Sequence, residues 1–578
     1  MKYQSEILKS FEILKFTPRD GQVEAINILI THFLDDGFKT VVLSAPTGVG
    51  KSIIAAVTAE TLHRITNPSK ENGASFLLSP TNILSDQYFD TFMKGRDPWD
   101  NLFRVVKGAA NYECAALTTP AEVVSAEDCA IRIFKKTNSP ALEDYCKSCE
   151  FNKQKTFREK SRHMITNYAI FFIDRMYNQM FESRTLCVFD EGHLINDLFT
   201  EFNSIEFTDK KLEQVCDEII EVMGPSGLEF VNYTRSVIKQ MKVEDGINIS
   251  NYKTILEGFD EIFTEVSRVA AEKAEREINK DRYIKMQRIS SKFMSESMKI
   301  VCLLELNYDH AFDFKLPDPR KKEKFSVFSV KPIFVGEMFE SLINAKYNLI
   351  CSATISEEYA RTTMQLENAK YVRLDPVFPR ENKKVIFYKP QNLNASTLND
   401  PAVKNKLLKA CADICEKHLV NNNERGVILT PSFVLNEEIS EFLIAEFPKH
   451  KFVVHKKGDK MVNIIEQFKF VDGPCVMITP SGYEGMDLSG DLSRFQVLVK
   501  APFASLGEAR IKYIATHYSN IYTVLTLMKV IQGAGRSVRG PTDWAVTYVL
   551  DTNIQRMWNS KQMAWANEFE AKGVTFLD

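Results

Sequence analysis

No run of this 578-residue sequence approaches the roughly 18 apolar residues that span a bilayer, so no membrane helix is expected. The first residues, MKYQSEILKSFEILKF, are amphipathic and lack the apolar stretch of a secretory signal. Charge of one sign is missing too: 73 Lys and Arg stand against 76 Asp and Glu, for a net charge of -3. That excludes a histone-like coat, and any nucleic-acid binding must use a local basic groove. The eleven cysteines are odd in number, which argues against a disulfide framework. Neither an internal repeat nor a low-complexity tract is present. These absences leave an intracellular protein as the expectation: cytoplasmic, in the host cytoplasm if the source is viral, and nuclear if it is eukaryotic.

What is present is globular. With 44% hydrophobic residues the chain can bury real cores, and at about 100–200 residues per domain it should hold several. Short apolar runs alternate with helical patterns. Val41-Val42-Leu43, Phe76-Leu77-Leu78, Leu186-Cys187-Val188-Phe189 and Asn348-Leu349-Ile350 read as buried strands in the first part. Val427-Ile428-Leu429, Val476-Met477-Ile478, Val497-Leu498-Val499 and Tyr548-Val549-Leu550 do so in the second. Such runs separated by helices predict parallel sheets with crossover helices. Two stretches break the rhythm. Residues 105–160 are irregular and cysteine-bearing. Residues 205–340 are charged and helical, and Phe259, Ile262, Phe263, Val266 and Ala270 mark one apolar stripe of a long helix there. Residues 317–324 read as a solvated loop.

Ser44-Ala45-Pro46-Thr47-Gly48-Val49-Gly50-Lys51-Ser52 lies between a predicted strand and a predicted helix. Gly48 and Gly50 let the backbone N–H groups turn toward phosphates, and the helix N-terminus adds partial positive charge. Lys51 can reach the β- and γ-phosphates, and Ser52 can ligate Mg²⁺. The strict glycine-first pattern is broken at Ala45. Asp190-Glu191-Gly192-His193 follows a predicted strand, so Asp190 can hold the magnesium shell and Glu191 can orient or deprotonate the attacking water. Downstream stands Gln532-Gly533-Ala534-Gly535-Arg536-Ser537-Val538-Arg539. Arg536 and Arg539 are three apart, so on a helix both guanidinia face one way, toward transition-state charge.

In this order the motifs resemble those of superfamily-two helicases, together with Ser352-Ala353-Thr354, and Asp-Glu-Gly-His narrows the resemblance to the XPD/DinG-like branch. Arg19-Asp20-Gly21-Gln22 is similar to the family's adenine-contacting glutamine motif. Ser79-Pro80-Thr81 resembles its first DNA-contacting motif, Thr166-Asn167-Tyr168 its Asn-Tyr element, and residues 481–487, ending in Asp487, the motif that couples ATP to DNA. Lys107-Gly108-Ala109-Ala110-Asn111-Tyr112-Glu113-Cys114 resembles the signature that opens the family's iron–sulfur domain, with Ala109 in place of the family's arginine. The resemblance implies an α/β fold: two RecA-like P-loop lobes with an inserted iron–sulfur domain and a helical arch. It places lobe 1 at 1–104, 161–204 and 341–378, the iron–sulfur domain at 105–160, the arch at 205–340 and lobe 2 at 379–578.

Cys146-Lys147-Ser148-Cys149, with Cys114 and Cys129, supplies four thiolates. These suit tetrahedral zinc or an iron–sulfur cluster, and spacing does not decide between them. Their place between the phosphate loop and the Asp-Glu pair is where the family carries a 4Fe-4S cluster. The resemblance further implies ATP and Mg²⁺ as cofactors and catalysis by Lys51, Asp190, Glu191, Gln532, Arg536 and Arg539. It implies 5′→3′ movement on single-stranded DNA, unwinding of forked DNA, and strand contacts at Thr81, Tyr112, Tyr168 and Phe433. The expected form is a monomer working with a single-stranded-DNA-binding protein or a repair or replication complex. An RNA–DNA-hybrid or R-loop translocase and a zinc-bearing nucleotide-binding scaffold remain as alternatives.

Overall fold

A computed structural model of the chain describes all residues except 47, 98–100, 115–148, 152, 155–159, 278, 306–308, 318–323, 337–338, 340–342, 344, 395, 482–487, 539, 561–569 and 573–578. Two helices, Gln4–Ile13 and Gln22–Leu34, lead into β1 (Thr40–Ser44), β2 (Ser75–Ser79), β3 (Phe103–Val106), β4 (His163–Asn167) and β5 (Arg184–Asp190). After an insertion that supplies β6 (Ile205–Thr208), β7 (His310–Lys315) and β8 (Val327–Pro332), β9 (Ala345–Ser352) and β10 (Lys370–Arg373) complete the first sheet. Its order is β10-β1-β9-β5-β2-β4-β3 and each pairing is parallel.

Both faces of this sheet are covered, so its strands are apolar at successive positions. Val41 and Leu43 pack on one side with Ile54 and Leu62 of the helix Lys51–Thr66. Val42 faces the other side, with Phe171 and Phe189. The parallel arrangement sends β1, β9 and β5, three neighbours, to the same edge at their carboxyl ends. That edge is where open α/β sheets bind ligands.

The second lobe repeats the plan. β11 (Lys383–Gln391), β12 (Gly426–Leu429), β13 (Lys451–Val454), β14 (Cys475–Thr479), β15 (Phe495–Leu498), β16 (Ala545–Asp551) and β17 (Glu570–Lys572) form a parallel sheet ordered β13-β14-β12-β15-β16-β11-β17. One buried cluster runs from Phe189 and Tyr359 of lobe 1 to Ile531 and Val549 of lobe 2, so the lobes share apolar surface.

The insertion has its own core. The helices Asp209–Met223, Leu228–Gln240, Tyr252–Arg276 and Lys280–Glu305 pack with an antiparallel sheet ordered β6-β8-β7. Phe259, Ile262, Phe263, Val266 and Ala270 are all buried. The antiparallel sheet adds three strands to a stretch expected to be charged and helical: Phe207, Phe312 and Phe328 join the same apolar cluster as the helices. The stretch expected as a loop at 317–324 falls mostly outside the described residues. No described helix is long and apolar enough to cross a membrane.

Candidate nucleotide site between the lobes

The phosphate loop begins as a continuation of β1. Ala45 N–H donates to the Ser352 carbonyl of β9 at 2.9 Å, so position 45 is still in the ladder and its buried methyl fits there. The loop then needs glycine twice. Gly48 has φ +92° and Gly50, at the start of the helix Lys51–Thr66, has φ +80°, a region L side chains rarely enter. Both positions are also crowded. A Cβ on Gly48 would lie 2.2 Å from the Phe378 ring, and one on Gly50 2.5 Å from Gln22 Nε2.

Gln22 therefore braces the loop. It is 2% exposed. Its Nε2 donates to the Val49 carbonyl at 2.9 Å, and its Oε1 accepts from Arg19 N–H at 2.9 Å. Phe378 comes from the chain joining the lobes. It clusters with Val538 and Ala545 of lobe 2 while its ring covers Gly48. One side chain thus touches the phosphate loop and the segment after Gln532.

Asp190 ends β5 and is 6% exposed. Burial, and then the charge of Glu191, push its carboxyl up to about 7, with Lys51 pulling the other way. Its Oδ1 is buried without a hydrogen-bond partner, and Ser52 lines the same small cavity. A buried carboxylate oxygen left open beside a hydroxyl suits a hard divalent cation such as Mg²⁺. Glu191 follows with φ 52° and ψ 44°, a left-handed conformation that is uncommon outside glycine and recurs at functional sites. Gly192 is required because a Cβ there would meet Ile350 Cγ2 at 2.3 Å.

The two lobes interlock at His193. The helix Ser519–Ala534 of lobe 2 presents Gln532, whose Nε2 donates to His193 Nε2 at 2.5 Å and to Thr354 Oγ1 at 3.2 Å. An acceptor Nε2 places the imidazole proton on Nδ1, which donates to Ser352 Oγ at 2.8 Å. That same Oγ accepts from Thr354 N–H at 3.1 Å. Tyr359 donates its hydroxyl proton to the His193 carbonyl at 2.9 Å. The Asp-Glu-Gly-His, Ser-Ala-Thr and Gln-Gly-Ala-Gly-Arg motifs are therefore one hydrogen-bonded unit across the cleft. A second cross-link lies beside it. Arg510 of lobe 2 is 6% exposed; its two terminal nitrogens reach Asp197 Oδ1 at 3.2 Å, and its Nε reaches the Ile333 carbonyl at 3.0 Å.

Several expected roles change. The helix Ser519–Ala534 ends before Arg536, with Gly535 as its cap residue, so Arg536 is not on that helix. Arg536 is half-buried in the following bend, while Arg539, Thr47 and Asp487 lie outside the described residues. Tyr168, expected on the strand path, is 1% exposed; its hydroxyl donates to the Asp190 carbonyl, which makes it an internal support of the site. Thr81 is exposed and caps its helix, accepting from Leu84 N–H at 3.3 Å. Phe433 is half-buried, edge-on to His455 at 5.3 Å.

In the cysteine-bearing segment, Tyr112 is half-buried and tilted against Phe151 with ring centroids 5.7 Å apart. Burial pushes its hydroxyl up to about 12. Cys114 is buried and Cys149 half-buried, both as free thiols; Cys129 and Cys146 lie outside the described residues. Among the described residues no three His, Cys, Asp or Glu side chains gather into a metal-holding group.

Sequence reasoning missed Asn82, Phe378 and Arg510. Only Asn82 left a signal. Lys107 and Asn111 are four apart, and they meet Asp86 and Asn82, four apart on the helix Asn82–Met93: Lys107 Nζ lies 2.6 Å from Asp86 Oδ1 and Asn82 Nδ2 donates to Asn111 Oδ1 at 3.1 Å.

The chain resembles known proteins. Residues 415–569 match the helicase C-terminal domain family, and residues 15–223 match the family of the type III restriction enzyme res subunit. The ATP-dependent DNA helicase YoaA of Haemophilus influenzae is 20% identical over 433 residues, covering 68% of this chain and 64% of that protein. The chain thus spans just under two thirds of that relative's length. A solved XPD helicase superposes with a TM-score of 0.61 at 15% identity, over 96% of this chain and all of that one. Xpd4 of S. tokodaii gives 0.57 at 14% identity, over 96% and 100%.

The chain has the fold of the solved XPD helicases, two RecA-like lobes on either side of a cleft, and resembles YoaA in sequence.

Proposed function

We propose that this chain is an ATP-dependent DNA helicase that translocates 5′→3′ on single-stranded DNA and splits forked duplexes. The observation that carries the reading is the Gln532–His193–Thr354 interlock, which ties lobe 2 to the carboxylate pair beside the phosphate loop. Lys51 and the backbone N–H groups of residues 48–52 would hold the nucleotide phosphates. Ser52 and Asp190 would hold Mg²⁺, which supplies charge neutralisation at the phosphates when bound. Glu191, held by its left-handed backbone and 3.4 Å from His193 Nδ1, takes the proton of the attacking water. Arg536 and Arg539 stabilise the transition-state charge from lobe 2, and Gln22, Thr47 and Asp487 complete nucleotide binding.

Changes at the interlock alter the lobe-to-lobe angle, so hydrolysis becomes stepwise movement along a strand. Thr81, Tyr112 and Phe433 touch that strand through phosphates and stacking. Cys114, Cys129, Cys146 and Cys149 would hold a 4Fe-4S cluster: four soft donors in a segment with few apolar residues to fold around. Fork substrates with a 5′ or a 3′ tail, in DNA and in RNA, test the reading. Unwinding of 5′-tailed DNA alone supports it. Preference for RNA–DNA hybrids, or nucleotide binding without unwinding, contradicts it.

A further inference from the structure

One line of side chains joins the root of the cysteine segment to the carboxylate pair. Asn111 Nδ2 donates to the Gly108 carbonyl at 3.2 Å. Asn82 Nδ2 donates to Asn111 Oδ1 at 3.1 Å, and Asn167 Nδ2 donates to Asn82 Oδ1 at 2.6 Å. Asn167 Oδ1 accepts from Ile170 N–H at 2.8 Å and so caps the helix Tyr168–Ile173. The first residue of that helix is Tyr168, whose hydroxyl holds the Asp190 carbonyl. That carbonyl belongs to the peptide leading into left-handed Glu191.

The geometry gives this line a direction. The three amides donate in the same sense, each polarising the next. Lys107 and Asp86 fasten the same helix and segment one turn further on, so the segment rests on the helix Asn82–Met93 at two points. Asn82 follows exposed Thr81 directly, and Asn82 and Asn167 sit at the carboxyl ends of the adjacent strands β2 and β4. A shift of the segment, or of the helix start, reaches the Asp190–Glu191 peptide through Asn167 and Tyr168.

We propose that Asn82 is a positioning residue that couples the placement of the cysteine-bearing segment to the geometry of Asp190 and Glu191, so that a bound strand sets the hydrolysis rate. This rests on the DNA-motor reading above.

The test is steady-state ATPase of the full chain, with and without saturating oligo-dT, for wild type, Asn82→Ala, Asn111→Ala and the double variant. The expected result is unchanged basal kcat and KM for ATP, with the stimulated kcat lowered about fivefold in each single variant and no further in the double. Asn82→Asp still accepts from Asn167 but cannot donate to Asn111, so it should match Asn111→Ala. If Asn82→Ala fails to fold, Asn111→Ala, at an exposed position outside the sheet, carries the same prediction. Full stimulation in the single variants overturns the inference. So does an equal fall in basal and stimulated rates, or singles whose effects multiply in the double. A wild type that DNA does not stimulate overturns the motor reading itself, and the inference with it.

Discussion

Each lobe buries an aspartate at the carboxyl end of a parallel strand, and the two are treated in opposite ways. Asp551 ends β16 in lobe 2. Its Oδ2 accepts from Ala501 N–H at 2.9 Å and its Oδ1 from Asn553 N–H at 2.8 Å. Asp190 ends β5 in lobe 1, also buried, with Oδ1 left open. Burial raises both carboxyls. Asp551 is a structural cap with both oxygens satisfied; Asp190 keeps one oxygen without a hydrogen bond and is only partly offset by Lys51, a state that persists where a ligand completes it. The turns that follow β2 and β12, by contrast, are alike. Ser79 Oγ donates to the Thr81 carbonyl at 2.9 Å in lobe 1, and Thr430 Oγ1 to the Ser432 carbonyl at 3.4 Å in lobe 2, across Ser-Pro-Thr and Thr-Pro-Ser. The frame is duplicated, and the open buried carboxylate stands at a strand end of one copy.

The sharpest way to break this comparison is to neutralise each aspartate. Asp190→Asn should cut kcat at least about a hundredfold without lowering the melting temperature at pH 8, because it removes a buried charge that Lys51 only partly offsets. Asp551→Asn should do the reverse. One backbone N–H loses its acceptor, stability falls by about 1–3 kcal/mol in denaturant unfolding, and kcat stays. Gln532→Ala should lower stimulated ATPase about tenfold with nucleotide binding retained, since only the cross-lobe bonds are lost.

A pH series separates the aspartates further. The folded value of Asp190, about 7, lies above its ordinary one, so its contribution to the nucleotide-free protein is full at acid pH and lost as pH rises toward 7. Melting should therefore drop from pH 6 to pH 8, and Mg²⁺ with nucleotide should flatten the slope. Glu60 behaves oppositely: burial would raise it, but hydrogen bonds from His163 and Arg162 prevail and hold it at about 2. Its contribution is lost only on strong acidification and adds no slope in that window. The smallest effect tests the shared frame. Thr81→Ala and Ser432→Ala each remove a helix cap and should cost about 1 kcal/mol alike in unfolding.

How much was legible follows from the same contrast. Strands buried on both faces are continuous apolar runs, so β1, β2, β5, β9, β12, β14, β15 and β16 showed in the sequence. β3 and β4 did not, because Arg104 and His163 interrupt them with polar groups that are buried only through partners such as Asn101 and Glu60. Lys51, Asp190 and Glu191 stood out in the sequence because the proposed chemistry needs fixed residue types, and the structure brings Lys51 and Glu191 within electrostatic reach of Asp190. Arg536 was misplaced on a helix although Gly535 marked its end. Gln22 and Tyr168 could be assigned as site supports only once tertiary contacts put them against Val49 and Asp190. The Asn111–Asn82–Asn167 line as a whole was not legible because its members belong to three separate segments, although the four-apart spacing of Asn82 and Asp86 matches that of Lys107 and Asn111.

The most direct measurement of the account is the steady-state ATPase rate with and without single-stranded DNA, for wild type beside Lys51→Ala. The account predicts a DNA-stimulated rate in wild type and none, basal or stimulated, in Lys51→Ala. A rate that ignores DNA, or one that survives the loss of Lys51, would contradict it.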